Sequence, residues 1–328
     1  MSSGVPYEIL DLRHFAAPAL RTLLEAEGKL WNDRLHWDYR ASTKLLVQYL
    51  DSHMLPGYAT IEAGLVTGYV FCVYEENKAI IGDLFALSGG SASPVASAHQ
   101  LEETLLRYLL ELLVNSPQLD RIESQLLLHP SGTHTSTFLN AGFQVFRRLY
   151  MMRQLRGLWS APTISLPAGL ELRPWRDEDL VPSSRLIAEA YRNHPDSLIN
   201  DQYRTVHGSL RFLNNIVHYA GCGVFSPQVS HVVVERSSQE LAALVLGSRV
   251  SPICGHITQI CVHPAYRRCG LARMLLDLAG FHMMRLGLGE VSLTVTEANA
   301  EAIQLYLAED FSCAHSFDAA VWRRSLQG

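Results

Sequence analysis

Val262-His263-Pro264-Ala265-Tyr266-Arg267-Arg268-Cys269-Gly270-Leu271-Ala272-Arg273 is the stretch on which the fold of this chain turns. A β-rich apolar run, Ile257 to Val262, leads into it, and a strongly helical run, Leu271 to Leu286, leaves it. A strand, a basic glycine-containing turn and a helix N-terminus together make a cradle for a pyrophosphate. The first-turn amides of a helix have no intrahelical acceptor, and the helix dipole adds partial positive charge there. Gly270 allows the backbone to approach phosphates closely. Arg267, Arg268 and Arg273 supply donors suited to phosphate oxygens.

The order of these residues resembles the acyl-coenzyme A signature of the GNAT N-acyltransferases. That signature is Gln or Arg, two residues, Gly, one residue, then Gly or Ala, after Val-x-Pro-x-Tyr-Arg. Here Arg267, Gly270 and Ala272 take the fixed places, and Val262, Pro264 and Tyr266 take the upstream ones. The resemblance implies an acyl-CoA arm held by Cys261, Val262, Arg267, Arg268, Cys269, Gly270, Leu271, Ala272 and Arg273. It also implies that the strand from Ile257 to Val262 bulges and splays from Glu290–Val295, so that pantetheine enters the gap as a pseudo-strand.

A second stretch, Asn299-Ala300-Glu301-Ala302-Ile303-Gln304-Leu305-Tyr306, resembles the family's Asn-x-x-Ala-x-x-Leu-Tyr motif. Asn299 is expected to cap a helix and to bond the pantetheine arm. Tyr306 is expected to act as general acid toward the leaving sulfur. The base is the main departure from the family, many members of which place a Glu on the strand before the cradle. Thr258 and Gln259 stand there. Gln259 takes no proton at neutral pH but can orient a water. His256, His263 and Glu297 are alternative bases, and a water chain to bulk is equally compatible.

Away from these motifs the chain reads as two copies of one plan. Opening strands at Tyr7–Arg13 and Leu170–Arg176 lead into helical segments at Ala17–Glu27 and Asp179–Arg192. Hairpins follow at 58–74 and 231–250, then strands at Ala79–Leu87 and His256–Val262. Leu101, Leu105, Leu109 and Leu113 repeat at helical spacing, as do Leu271, Leu275 and Leu278. Closing strands are expected at Gln144–Leu155 and His315–Arg324. The fold class read from this plan is α/β: two tandem domains, 1–157 and 168–328, each a mixed, mostly antiparallel sheet flanked by helices, GNAT-like by the resemblance, which is strong from Leu170 to the end and one of layout only over the first half. The join falls near Leu158-Trp159-Ser160-Ala161-Pro162. The first copy reads as degenerate. It has Leu87-Ser88-Gly89-Gly90-Ser91 in place of the cradle and Phe138 in place of Tyr306, and a phenyl ring cannot donate a proton.

Length and composition bound the remaining possibilities. A chain of 328 residues accommodates two domains of ordinary size, and a net charge of −5 argues against a nucleic-acid protein. Six cysteines form no Cys-x-x-Cys pair, so no metal is expected and the chain suits a reducing compartment. No basic segment followed by an apolar one opens the sequence, and no uncharged apolar run is long enough to span a bilayer. A cytoplasmic protein without membrane contact is expected, its oligomeric state left open.

The acceptor is expected between Tyr191 and Gly223, a segment holding Asp196, Asp201, Tyr203, Arg204, His207, Arg211 and Tyr219. Acids there suit an amine, and the arginines suit a carboxylate. The leading expectation is an N-acetyltransferase that uses acetyl-CoA as co-substrate. It would pass the acyl group to a primary amine, small molecule or protein, by direct attack in a ternary complex. The alternative is a non-catalytic acyl-CoA-binding sensor or scaffold.

Overall fold

The computed structural model describes residues 7–87, 97–155, 161–219 and 221–324. The glycine-rich loop at 88–96 and the linker residues 158–160 lie outside the described residues. The chain forms two compact units, one of residues 1–35, 42–147 and 316–328, the other of residues 36–41 and 148–315.

The first half of the sequence supplies β1 (Tyr7–Asp11), α1 (Ala17–Leu35), α2 (Arg40–Asp51), β2 (Gly57–Glu62), β3 (Leu65–Glu75) and β4 (Lys78–Ala86). It continues with α3 (Ala98–Val114), β5 (Arg121–Gln125), α4 (Thr135–Asn140) and β6 (Gln144–Gln154). The second half supplies β7 (Leu170–Pro174), α5 (Leu180–Ala190), α6 (Asp196–Ile199), α7 (Val206–His218), β8 (Val224–Phe225) and β9 (His231–Glu235). Then come β10 (Leu241–Arg249), β11 (Cys254–Val262), α8 (Leu271–Arg285), β12 (Glu290–Thr296), α9 (Ala300–Ala308) and β13 (Ser312–Arg323).

Each unit builds a sheet of the same plan. In the first, β1, β2, β3 and β4 pair antiparallel in turn, and β4 pairs parallel with β5. In the second, β7, β9, β10 and β11 pair antiparallel, and β11 pairs parallel with β12. Each parallel pair is joined by a crossover helix, α3 or α8, since two parallel neighbours cannot be joined by a tight turn. The closing strand of each sheet comes from the other half of the sequence. Ala319–Arg323 of β13 pair antiparallel with β5 inside the first unit. Arg148–Gln154 of β6 pair antiparallel with β12 inside the second. The units thus group residues differently from the ranges 1–157 and 168–328, because a sheet edge takes whichever strand offers matching side chains.

Burial accounts for these choices. Met151 and Leu155 pack in the core of the second unit with Leu271, Leu275, Val291 and Leu293. Ala320 packs in the first with Leu105, Leu109 and Phe138. Helix α3 carries Leu101, Leu105, Leu106, Leu109, Leu110 and Leu113 inward and is started by a capping box between Ser97 and Gln100. Such a cap contributes about 1 kcal/mol. Among the described residues no helix is long and apolar enough to cross a membrane, and every cysteine is free.

Candidate functional site

Strand β11 is held on both sides only over its first half. Its parallel ladder with β12 runs from Cys254↔Glu290 to Ile257↔Leu293 and ends there. On the other side β10 stays paired up to Ala243↔Val262, with a bulge that leaves Thr258 as the extra residue. The Thr258 hydroxyl donates to the Leu246 carbonyl at 3.1 Å and ties the bulge down. A bulge adds local twist, and here β11 parts from β12 beyond it. The gap so opened is part of a cleft of about 900 Å³. The His263 N–H donates to the Ala242 carbonyl at 2.8 Å. Alternation along a strand therefore turns the backbone of Cys261 toward β10, and that of Val262 and Ile260 into the gap.

The turn after β11 forms the second wall. Pro264–Tyr266 make a short 3-10 turn capped by His263, whose Nδ1 accepts from the Ala265 N–H at 3.2 Å. Arg268 and Gly270 both take left-handed backbone, with φ of 65° and 78°. Gly270 is the N-cap of α8 and offers no side-chain cap, so the Leu271, Ala272 and Arg273 amides lack an intrahelical acceptor. A Cβ at Gly270 would meet no protein atom within 4 Å. The glycine is thus required by its φ, and the space beside it opens toward the cleft that Gly270 lines.

Most residues singled out from the sequence come together here. Gln259, Cys261, Val262, Arg267, Arg268, Gly270, Leu271, Ala272, Arg273, Asn299 and Tyr306 all line the one cleft. Their surroundings differ from the simplest expectation in several places. The Arg267 guanidinium donates to the Ala190 carbonyl at the end of α5, at 2.8 Å, so part of its donor set is already committed. Arg273 is paired with Glu309 at 2.6 Å. Cys269 is exposed and stands outside the lining. The Gln259 amide nitrogen is buried without a hydrogen-bond partner among the described residues.

Asn299 caps α9, its side-chain oxygen accepting from the Ala302 N–H at 3.2 Å, and its amide nitrogen lies 3.3 Å from His194 Nε2. Tyr306 is buried on the next turns of α9, 5.9 Å from the Phe311 ring. Phe138 occupies the equivalent place in the first unit, 5.3 Å from Phe143. Burial, reinforced by the negative charge of Asp196, raises the Tyr306 phenol above its usual range and keeps it protonated at neutral pH.

The three bases considered from the sequence stand apart from the cleft lining. His256 is buried, bonds the Ser292 hydroxyl at 2.9 Å and stacks near Trp37 and Tyr150. Burial, then the Arg148 charge, lowers it to about 3. His263 is spent on its cap, and Glu297 is exposed. The cleft instead holds Asp196, His194, Tyr191 and Tyr203, with Arg148 on β6. Asp196 is buried and accepts from the Thr296 hydroxyl. Burial lowers the His194 imidazole. Arg148 was legible in the sequence only as part of a closing strand. A second cavity of about 800 Å³ shares Tyr191 and His194 with the cleft and includes Arg204, whereas Tyr219 and His207 are exposed outside both.

Residues 196–311 match the family model described as Acetyltransferase (GNAT) family. That segment is similar to the GNAT acetyltransferase family. The matched segment contains the whole strand, cradle and Tyr306 arrangement. The chain is similar to the mycothiol acetyltransferase of Geodermatophilus obscurus, 28% identical over 178 residues, covering 54% of this chain and 55% of that protein. It is similar also to the mycothiol acetyltransferase of Thermobispora bispora, 31% identical over 179 residues, covering 53% and 57%. The matched part thus spans little more than half the length of these curated relatives. Among solved structures, a GCN5-related N-acetyltransferase from Sphaerobacter thermophilus superposes with a TM-score of 0.67 at 16% identity, covering 98% of this chain and 97% of that one. A tandem GNAT protein from the clavulanic acid biosynthesis pathway gives 0.60 at 14% identity, covering 98% and 100%. These likenesses show the fold: a GNAT-type α/β architecture along the whole chain.

Proposed function

We propose that the protein is an acyl-CoA-dependent N-acyltransferase that moves an acetyl group to a primary amine in a ternary complex. One observation carries the reading: the splayed gap, the free N-terminus of α8 and Tyr306 line a single cleft. The residues fit the co-substrate. The Leu271, Ala272 and Arg273 amides and the Arg268 side chain hold the phosphates, with open space beside Gly270 for their approach. The pantetheine arm lies against the gap-facing backbone of Ile260 and Val262, and Asn299 borders it. Bound acyl-CoA supplies an activated acyl carbon with a thiolate as leaving group.

The chain's own groups do the rest. The Val262 N–H is the donor for the acyl oxygen as negative charge grows on it. Asp196 is the buried carboxylate that holds the acceptor as its ammonium. The amine sheds a proton before it attacks, since only the free base has a lone pair. Gln259 orients the water that carries this proton away. Tyr306 donates a hydrogen bond to the leaving sulfur and delivers its proton, regaining one from the new amide nitrogen. No net proton is gained or lost by the tyrosine.

Titration calorimetry of acetyl-CoA against wild type and Gly270→Glu tests the reading. One site per chain, lost in the variant, is expected, because the added carboxylate enters the phosphate space. Absence of binding to the wild type would overturn the proposal. Binding without release of CoA to any amine would favour a sensor or scaffold instead. A second site surviving the substitution would show that the first copy is not degenerate.

A further inference from the structure

The first unit gathers a set of groups that the acyl cleft does not use. His134 Nε2 lies 3.2 Å from His129 Nδ1. One oxygen of Glu102 lies 3.6 Å from the former and 3.7 Å from the latter. The three atoms form a near-equilateral triangle. All three groups are largely buried, with 3%, 12% and 10% of their side chains exposed for His134, His129 and Glu102.

The outward-facing nitrogens of both rings are already committed. His134 Nδ1 donates to Glu103 at 2.5 Å, and Glu103 is itself held by the Thr137 hydroxyl. His129 Nε2 donates to the Leu84 carbonyl at 2.8 Å. Glu102 is oriented by the Ala86 N–H at 3.3 Å. A neutral imidazole has a single N–H. With that proton fixed on the far nitrogen of each ring, His134 Nε2 and His129 Nδ1 present bare lone pairs to each other and to a carboxylate oxygen. Three acceptors converging in a buried place repel one another unless a cation lies among them.

We propose that Glu102, His129 and His134, with His99, form a site for a divalent transition metal of the Zn2+ class. Ligand atoms around tetrahedral Zn2+ at bond lengths near 2.1 Å stand roughly 3.3–3.5 Å apart, close to the sides of this triangle. His99 precedes Glu102 by one turn of α3, and its ligand atom falls within 4.8 Å of those of Glu102 and His134. It is exposed and lies outside the triangle, and it joins the set by turning its side chain toward the ion. The carboxylate and carbonyl behind the two buried rings are the partners that metal-binding histidines take, since they fix the tautomer and raise ligand basicity. Imidazole and carboxylate ligands together suit Zn2+. The ion would pin the start of α3 to the segment before α4. A proton is the competing cation. Burial disfavours the charged His134 ring, yet its bonds to Glu102 and Glu103 outweigh this and raise it, while burial lowers His129, which also feels Arg34.

Full-length protein stripped with a chelator is titrated with Zn2+ by calorimetry and with Co2+ by absorption, and its melting temperature is followed. One equivalent of Zn2+, tetrahedral Co2+ bands and a raised melting temperature are expected. His134→Gln abolishes all three. Glu103→Gln keeps every ligand and lowers affinity by about 10- to 100-fold. If His134→Gln does not fold, the exposed His99→Ala serves, with weakened affinity and an altered Co2+ spectrum. No Zn2+ uptake by the wild type, with stability governed by pH alone, would assign the cluster to a proton and overturn the proposal. Uptake unchanged in His134→Gln and His99→Ala would assign the metal to surface groups and overturn it equally.

Discussion

At the scale of single residues, the reading of the cleft separates groups that bind from groups that move protons. Tyr306 and Asp196 lie close enough for the carboxylate to disfavour ionisation of the phenol, yet they have different tasks. Tyr306→Phe preserves the ring packing on Phe311 and deletes only the hydroxyl. Turnover should fall by about 10²- to 10⁴-fold, the range of a general acid, with acetyl-CoA affinity unchanged by calorimetry. Asp196→Asn should act chiefly on the acceptor and raise its KM by about 10- to 100-fold, the worth of a hydrogen bond to a charged group. Steady-state kinetics in both substrates distinguishes the two patterns, and an unaltered rate in Tyr306→Phe with a good acceptor removes the tyrosine from the mechanism. Asp196 was visible in the sequence as one acid among several. Its place beside Tyr306 and Thr296 comes from α6, β12 and α9 meeting, which no local pattern encodes.

At the scale of elements, β11 is a strand with two regimes. Its first half is locked between neighbours and anchored by His256, and its second half is released by the bulge at Thr258. The anchor carries a pH dependence. The unfolded imidazole takes up a proton near 6.5, the folded one only near 3. Between those values the unfolded state binds more protons, so stability is full above pH 6.5 and falls as pH drops toward 3. Each unit of the shift is worth about 1.4 kcal/mol at most. Urea midpoints followed across that window should decline in the wild type and decline less steeply in His256→Gln. Equal slopes would mean that other groups set the acid limit. The sequence placed β9, β10, β11 and α8 within a residue or two, since their apolar runs and the turn at Gly270 are strong signals. It did not yield α2 or β5. Helix α2 buries only Leu46 and Leu50, and β5 is a five-residue strand with two charged residues, so neither presents a long run of buried apolar side chains to mark it.

At the scale of the whole molecule, each compact unit is completed by a strand from the opposite half of the sequence. Residues 1–157 alone lack the partner of β5, and residues 168–328 alone lack the partner of β12. Each fragment then exposes an unpaired sheet edge and loses core contributors, Ala320 in one and Met151 with Leu155 in the other. Expressed separately, both fragments should be poorly soluble and should lack a cooperative melting transition, whereas co-expression should restore one. Independent folding of either fragment would show that the exchanged strands are dispensable.

Residue order alone determined the repeated plan, the strand–cradle–helix unit around Gly270 and the pair Asn299 and Tyr306, because each rests on short-range geometry: strand alternation, helical spacing, a left-handed turn. Tertiary structure alone decided which strand closes which sheet, that Arg148 and Asp196 share a cleft with Tyr306, and that His129 and His134 face Glu102 across the first unit. Those outcomes depend on pairing edges and burying side chains from segments roughly thirty to more than one hundred residues apart. Contacts of that range leave no periodic trace along the chain.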